Sequence, residues 1–335
     1  MRYFLKTCFI FGLPCIFALA YIVYLDFFKV FFSYKDYYKT NTFITLNREN
    51  VCFKMYTSNV PAKKYDAFIL GNSRSLAFKT TDWKPYLPPK ASPFHFDANG
   101  EGIYGVLKKL EYIHKTGKVV NQALLVLDRK SLTVLSNRQG HVYVSPPEVS
   151  GESYFKFYYM FLKASLNFDF LRSFIDYKVT HQYKDYMGDF ISKSEFSPRI
   201  DAVTADFYYG YDTHIAKDSL GYYKSLVDKG VFYARTGKKK EHCAISTKEV
   251  EILNRIKKEF KDLNTNYQIV ISPLYDQIPL EKNQLDLLNS IFGKDKVHDF
   301  SGVNSYTSSI ANYYESSHYR PHIARDIMRK IYTND

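Results

Sequence analysis

An apolar run that ends in a small polar turn constrains the fold of this chain most strongly. Residues 67–75 read Ala-Phe-Ile-Leu-Gly-Asn-Ser-Arg-Ser. A short apolar run bounded by turn residues is typical of a strand buried on both faces of a parallel sheet. Ligands of open α/β sheets bind at the carboxyl ends of such strands. A serine hydroxyl on this turn is therefore a candidate nucleophile, and the turn alone does not distinguish Ser73 from Ser75.

Alternating strand and helix patterns flank a long middle section. Apolar runs predict strands at 65–70, 94–97, 121–128, 266–272 and 296–300. Apolar spacing predicts helices at 106–115, 247–260, 285–292 and 321–332, with a loop at 313–319. This alternation predicts an α/β fold with a doubly wound, mostly parallel sheet in three layers. Residues 135–240 break the pattern, with one aromatic-rich helix predicted at 154–179, and we interpret them as an insertion that shapes the substrate pocket.

The N-terminal region contains an uncharged stretch of membrane-spanning length. Thr7 to Leu25 comprises 19 residues without a charge, roughly 28 Å of helix. Arg2 and Lys6 precede it and favour a cytoplasmic N-terminus. A signal-peptidase site after Ala20 is the alternative, and both alternatives place the remainder outside the cytoplasm.

The resulting domain prediction has three parts. They are a transmembrane anchor at 1–28, a juxtamembrane arm at 29–60 and an α/β domain at 61–335. Residues 27–32 are expected to extend the first helix, and 41–56 to form a strand or a packing arm.

The charge and the cysteines narrow the classes of partner. The net charge is +12, and the lysines are dispersed. The sequence contains no zinc-finger, RNP or helix-turn-helix pattern that would indicate nucleic-acid binding. An anionic membrane surface or glycan is therefore the favoured partner. The 31 tyrosines and 27 phenylalanines reflect either compositional bias or a surface that stacks on sugars. Cys52 and Cys243 form a disulfide only if their Cα atoms are close. No Cys-His cluster has zinc spacing, and neither a metal nor a diffusible cofactor is expected.

A nucleophilic serine needs a base, a group that orients the base, and donors for the oxyanion. His318 lies just before the last predicted helix, and Glu315 precedes it by three residues. Backbone N–H groups near Ser73 and Gly102 are candidate oxyanion donors, and the side chain of Asn72 or Asn99 is a candidate additional donor.

Several alternatives stay open. His322 is a second candidate base, and Asp299 is a second candidate for the group that orients it. Arg74 and Arg320 either bind an anionic substrate or pair with acidic side chains.

This order of motifs resembles the SGNH (GDSL-like) hydrolase superfamily. The resemblance implies Ser73 as nucleophile, His318 as base, Glu315 as its orienting group and Gly102 as oxyanion donor, with Gly100 as second choice. Asn72 and Glu315 stand where the family has Asp. The family's Gly-X-Asn-Asp block is replaced by Leu-Asp-Arg-Lys at 127–130, so the usual oxyanion Asn is missing. Either Asn99 substitutes for it, or backbone groups alone bind the oxyanion.

The Gly-Asn-Ser-Arg variant after a membrane segment resembles the membrane-anchored branch of that superfamily. This resemblance implies a serine esterase or O-acyltransferase that acts on acyl esters of envelope polysaccharide, without a cofactor. A transferase would take its acyl group from a donor, such as one presented by a membrane protein. Two alternatives are a non-catalytic scaffold or glycan-binding protein with the same fold, and a lipid thioesterase or lipase with a deep apolar tunnel beside Ser73.

Overall fold

The computed structural model describes residues 1–39, 43–192, 198–235 and 245–333. The strands are β1 (Ala67–Gly71), β2 (Pro93–Asp97), β3 (Gln122–Leu127), β4 (Arg199–Ile200), β5 (Phe207–Tyr208), β6 (Asn266–Ile271), β7 (Val297–Asp299), β8 (Tyr313–Glu315) and β9 (His318–Tyr319). The helices up to the middle section are α1 (Arg2–Leu25), α2 (Arg48–Asn59), α3 (Thr80–Trp83), α4 (Ile103–Lys115), α5 (Arg129–Thr133), α6 (Pro147–Ser150), α7 (Tyr154–Ser165) and α8 (Phe168–Thr180). The later helices are α9 (Tyr211–Lys217), α10 (Ser219–Asp228), α11 (Thr247–Asp262), α12 (Lys282–Phe292), α13 (Ser305–Ser308) and α14 (Pro321–Thr333).

Five parallel strands form the central sheet, in the order β2-β1-β3-β6-β7. Side chains of β1 alternate between two cores: Phe68 and Leu70 pack with α4 and α11 on one face, and Ala67 and Ile69 pack with α14 on the other. Helices therefore cover both faces, which confirms the predicted α/β class. From β1 the chain crosses to β2 on one side and later to β3 on the other, so a crevice is expected at the carboxyl ends of β1 and β3.

The predicted sheet strands agree with the structure to within about two residues, but three other predictions were wrong. Residues 313–319 form the β8–β9 hairpin rather than a loop. Residues 27–32 do not extend α1, because Asp26 adopts a left-handed conformation and its carboxylate accepts the Val30 N–H at 2.7 Å. Of the two alternatives for 41–56, the strand is wrong for residues 48–56, because the side chain of Asn47 accepts the Asn50 N–H at 2.9 Å and caps α2.

The N-terminal residues are helical in α1. In the described part of the chain, however, no helix has both the length and the apolar content needed to cross a membrane, so the predicted transmembrane helix is not supported. The segment after α1 belongs to the main core, where the rings of Phe27 and Phe28 contact Phe170 with centroids 5.2 and 5.0 Å apart. Side chains of the described residues 29–39 and 43–60 also belong to this core, among them Val30, Val51 and Tyr56.

The insertion has two structural roles. Helices α7 and α8 pack near the N-terminal segment, and the expected single helix breaks before α8 because Asn167 accepts the Asp169 N–H at 2.8 Å. Residues of β5 and α9 instead line the cavity at Ser73, as expected of an insertion that shapes a pocket. Cys243 lies outside the described residues, so the Cys52–Cys243 pairing stays a prediction; Cys52 is buried in the core.

Candidate active site

Gly71 sets the position of the candidate nucleophile. It pairs with Val126 in β3 and has φ +144°, and an added Cβ would lie 2.4 Å from the Val126 carbonyl oxygen. Only glycine fits this close approach and this backbone conformation. The chain then turns at Asn72, whose side chain accepts the Arg74 N–H at 3.0 Å, and enters the 3₁₀ helix Ser73–Ala77. Ser73 is thereby held at the carboxyl end of β1.

A hydrogen-bonded chain joins Ser73, His318 and Glu315. Ser73 Oγ lies 2.8 Å from His318 Nε2, across 245 residues of sequence. On the other side of the imidazole ring, His318 Nδ1 hydrogen-bonds Glu315 Oε1. Glu315 and His318 pair in the β8–β9 hairpin, which faces both side chains toward the turn after β1. This arrangement has the connectivity of a serine–histidine–carboxylate triad.

The electrostatics of Glu315 favour an ionised carboxylate. Burial raises its pKa, but the hydrogen bond and charge of His318, the Ser317 N–H at 2.7 Å and the charge of Arg74 outweigh burial and hold the pKa below its usual value. An ionised Glu315 accepts the Nδ1–H of His318, which leaves the Nε2 lone pair free to accept the Ser73 proton. Glu315 therefore orients His318 and selects the tautomer that a general base needs.

Asn72 and Arg74 meet at Asp128, the first residue after β3. Asn72 Nδ2 and Arg74 NH1 donate to Asp128 Oδ2 at 2.7 and 2.8 Å. Asp128 Oδ1 accepts the Lys130 and Ser131 N–H groups at 2.8 and 3.0 Å and so caps α5. The buried carboxylate of Asp128 thus ties the turn that carries Ser73 to the end of the next strand.

The structure places Gly102 and Asn99 elsewhere. Ser73 and His318 line one cavity, whereas Gly102 and Asn99 line a separate cavity together with Glu101 and Arg138. At Gly102 an added Cβ would lie 2.3 Å from Val134 Cβ, so close packing explains this glycine. Their placement does not favour the predicted oxyanion roles.

Ser75 differs sharply from Ser73. Ser75 is fully buried, and its Oγ lies 2.8 Å from the Asn72 carbonyl and 2.9 Å from His95 Nε2. Nδ1 of His95 lies 3.3 Å from Asp206, which also accepts the Thr80 N–H. The three residues of this second Ser-His-Asp chain are buried, so a substrate cannot reach them. Their hydrogen bonds stabilise the turn that carries Ser73. The members of this chain are far apart in sequence, so no local pattern indicated it.

Tyrosines enclose the Ser73–His318 pair in a cavity of about 30 Å³. The lining residues are Ser73, Leu76, Ala77, Lys79, Tyr208, Tyr209, Asp212, Tyr314, His318, Tyr319 and Pro321. The Tyr209 and His318 ring centroids are 5.7 Å apart, and Tyr314 OH donates to Asp212. Tyr209 and Asp212 were not predicted from the sequence, because the insertion to which they belong has no regular pattern.

The remaining alternatives have other partners. Arg320 pairs with Asp212 at 3.0 Å, just as Arg74 pairs with Asp128. His322 Nε2 lies 3.3 Å from Asn312 Oδ1, and Asp299 accepts the Ser301 N–H at 2.8 Å. Of the two candidate bases, His318 is therefore the one hydrogen-bonded to Ser73.

Searches with models of known protein families, among curated proteins and among solved structures found no match. We therefore infer the function from the geometry of the site.

Proposed function

We propose that this protein is a serine ester hydrolase or O-acyltransferase of the SGNH type. The observation that carries the proposal is the 2.8 Å contact between Ser73 Oγ and His318 Nε2, with His318 Nδ1 bound to Glu315. The nucleophile–base distance lies in the range required for proton transfer. The turn after β1 and the β8–β9 hairpin before the last helix are the locations that the family resemblance implies.

In the proposed mechanism Ser73 Oγ attacks the acyl carbonyl carbon, and His318 Nε2 takes the hydroxyl proton. Glu315 stabilises the imidazolium that forms. His318 then returns the proton to the leaving alcohol, and the acyl group stays on Ser73. In the second half, water or a sugar hydroxyl gives its proton to His318 Nε2 and takes the acyl group. His318 then returns that proton to Ser73 Oγ, which regenerates the serine.

Arg74 is the candidate side-chain donor for the oxyanion. Its Nε is buried and has no hydrogen-bond partner among the described residues, while its NH1 is held by Asp128. In this proposal the Ser73 N–H and the Nε–H of Arg74 donate hydrogen bonds to the oxyanion of the tetrahedral intermediate, while Asp128 holds the guanidinium in place. This assignment replaces the asparagine that is missing at 127–130.

The cavity size favours a short acyl group. A single water molecule needs roughly 10–15 Å³ of such space, so about 30 Å³ beside Ser73 accommodates a short group such as acetyl. The adjoining cavity is lined mainly by charged and polar residues rather than by the apolar side chains that a fatty-acyl chain would need. This supports an O-acetyl substrate over the thioesterase or lipase alternative. An envelope polysaccharide as substrate, a membrane acyl donor and an extracytoplasmic location stay predictions from the sequence.

The test is hydrolysis of 4-nitrophenyl acetate, together with labelling of Ser73 by a fluorophosphonate. We expect Ser73→Ala and His318→Ala to abolish turnover, and Ser73→Ala to abolish labelling. Ser290→Ala, an exposed serine on α12, is the matched control and should retain both. A folded wild-type protein that shows neither turnover nor labelling would refute the enzyme proposal and favour the scaffold or glycan-binding alternative.

A further inference from the structure

We propose that a second cavity, adjoining the one at Ser73, binds an anionic sugar, so that the substrate is an acyl ester of an acidic or phosphorylated saccharide. This inference rests on the proposed function for its reaction, but binding can be measured without turnover. Carboxylate and phosphate groups share the recognition chemistry that matters here, which is negatively charged oxygen.

The two cavities adjoin, because four residues line both of them. The second cavity has a volume of about 390 Å³, within the range typical of small-molecule sites. Lys79, Tyr208, Asp212 and Pro321 line both cavities. An ester group at Ser73 would therefore place the rest of its molecule in the larger cavity, beside the Tyr208 ring.

The charges that line the second cavity are predominantly positive. Its basic residues are Lys79, Arg320, His322 and Arg325, and its acidic residues are Asp82 and Asp212. Both acids are already paired: Asp212 with Arg320 at 3.0 Å, and Asp82 with Arg325 at 3.5 Å. Tyr314 also donates to Asp212. The ammonium of Lys79 is the cation that neither acid pairs with.

Lys79 is the most buried of these cations. The residue is 6% exposed, and its Nζ donates to the carbonyl oxygens of Leu76 and Phe207 and lies 4.6 Å from the Tyr208 ring centroid. These hydrogen-bond partners are neutral, so the only negative charges that act on the ammonium are the more distant carboxylates of Asp206, Asp97 and Asp82. An anion bound in the cavity would add a direct ion pair.

The surroundings of Lys79 make that charge sensitive to pH. The pKa of Lys79 is lowered to about 8, because burial and the charge of Arg48 outweigh the opposing charges of Asp206, Asp97 and Asp82. His95, which bonds Asp206, faces the same network. Binding of an anion that depends on Lys79 should therefore weaken as the pH rises past 8.

The start of α14 adds to the attraction. Pro321 and His322, the first two residues of this 13-residue helix, line the cavity, and Arg325 lies one turn further along. The N-terminal end of a helix carries a partial positive charge. The helix end and Lys79 thus favour an anion from two sides.

The direct test compares ligands that differ in charge. Dissociation constants of the purified full chain would be measured by ligand-observed NMR for methyl glucuronoside and its methyl ester, and for glucose 6-phosphate and glucose. We expect at least one anion to bind about tenfold more tightly than its neutral partner. Comparing the two pairs distinguishes a carboxylate ligand from a phosphate ligand.

Matched variants locate the effect. Arg325→Gln, at a half-exposed position, should reduce the preference for the anion several-fold, and Lys79→Met should remove most of it. Lys330→Gln removes the same charge from an exposed site on α14 outside the cavity and should change nothing. Equal affinity for the anion and its neutral partner in both pairs, or a preference that survives both Arg325→Gln and Lys79→Met, would overturn the inference. Because 4-nitrophenyl acetate is neutral, its hydrolysis reports separately on the proposed function.

Discussion

Replacing Glu315 by glutamine tests whether the Ser73–His318–Glu315 chain works as a triad. In the wild type, one Glu315 oxygen accepts from His318 Nδ1 and the other from the Ser317 N–H at 2.7 Å. A glutamine has one acceptor oxygen and one NH₂ group, so it can satisfy only one of these two donors. If the oxygen stays on Ser317, the NH₂ group faces Nδ1 and selects the tautomer in which Nε2 carries the proton. That tautomer cannot take the proton of Ser73.

The size of the effect follows from the bonds that are lost. A charge-assisted hydrogen bond contributes about 1.5–3 kcal/mol, which is about 10- to 150-fold in rate at 1.36 kcal/mol per decade. The wrong tautomer adds to this loss, and amide replacement in a fully buried triad costs about 10⁴ in kcat. Glu315 is 22% exposed, so water can partly replace the carboxylate. We therefore expect kcat/KM to fall by about 10²–10³.

The assay is the pH profile of kcat/KM for 4-nitrophenyl acetate, with thermal unfolding to show that each variant is folded. Glu315→Asp retains the charge at a shorter reach and should lose much less activity than Glu315→Gln. The loss should appear in kcat rather than in KM, because the substrate does not touch Glu315. If the glutamine variant keeps more than half of the wild-type activity, Glu315 does not orient His318 and the triad interpretation is wrong.

Three further predictions concern the scaffold of the site. Gly71→Ala should destabilise the fold by about 3 kcal/mol in urea unfolding, whereas Gly117→Ala, with φ +66° in open space, should cost about 1 kcal/mol; equal losses would contradict the clash. Burial raises the pKa of Asp206, but the hydrogen bond and charge of His95 outweigh burial and hold the pKa below its usual value. The stability that this pair contributes is therefore present above pH ~4 and is lost as the pH falls further. Asp206→Asn should make the unfolding free energy less dependent on pH in that acid range. Burial raises the pKa of the Cys52 thiol. In a variant whose other cysteines are changed to serine, Cys52 should therefore react with a thiol reagent only after unfolding. Rapid labelling of the native protein would show that the core opens.

The elements that sequence predicted best are those whose pattern is set by burial on both faces. β1, β3 and β6 are apolar runs because helices cover both sides of the sheet, and the turn after β1 is marked by a glycine that nothing larger can replace. Helix ends that are set by local capping in polar segments were harder to predict from the sequence. Asn47 starts α2 in a stretch without a clear period, and Asp26 ends α1 through its own hydrogen bonds.

At the site, sequence reasoning found groups that follow one another at a fixed spacing. Glu315 and His318 face the same way because they pair across a two-residue hairpin. It missed contacts that only the tertiary fold creates, such as the pairing of His95 with Asp206 across 111 residues. It also assigned Gly102 to the oxyanion, although the close approach of Val134 accounts for that glycine.

Asp128 explains how the site is held without the asparagine that the family resemblance leads one to expect after β3. Its carboxylate accepts four hydrogen bonds, two from the start of α5 and two from Asn72 and Arg74. In Asp128→Asn the amide oxygen can serve only one of these pairs, and the NH₂ group would face donors. Breaking a buried charged pair costs about 3–5 kcal/mol, so urea unfolding should show a loss of about 3 kcal/mol.

The loss should extend to catalysis, because Asn72 directly precedes Ser73 and Arg74 is the proposed oxyanion donor. Arg74→Met removes the charge from the other side and should also lower kcat/KM. In the double variant Arg74→Met/Asp128→Asn the stability losses should be clearly less than additive, since each single change already breaks the same pair. Additive losses in unfolding free energy would show that Asp128 holds α5 but not the nucleophile turn, and the oxyanion assignment to Arg74 would then lose its structural basis.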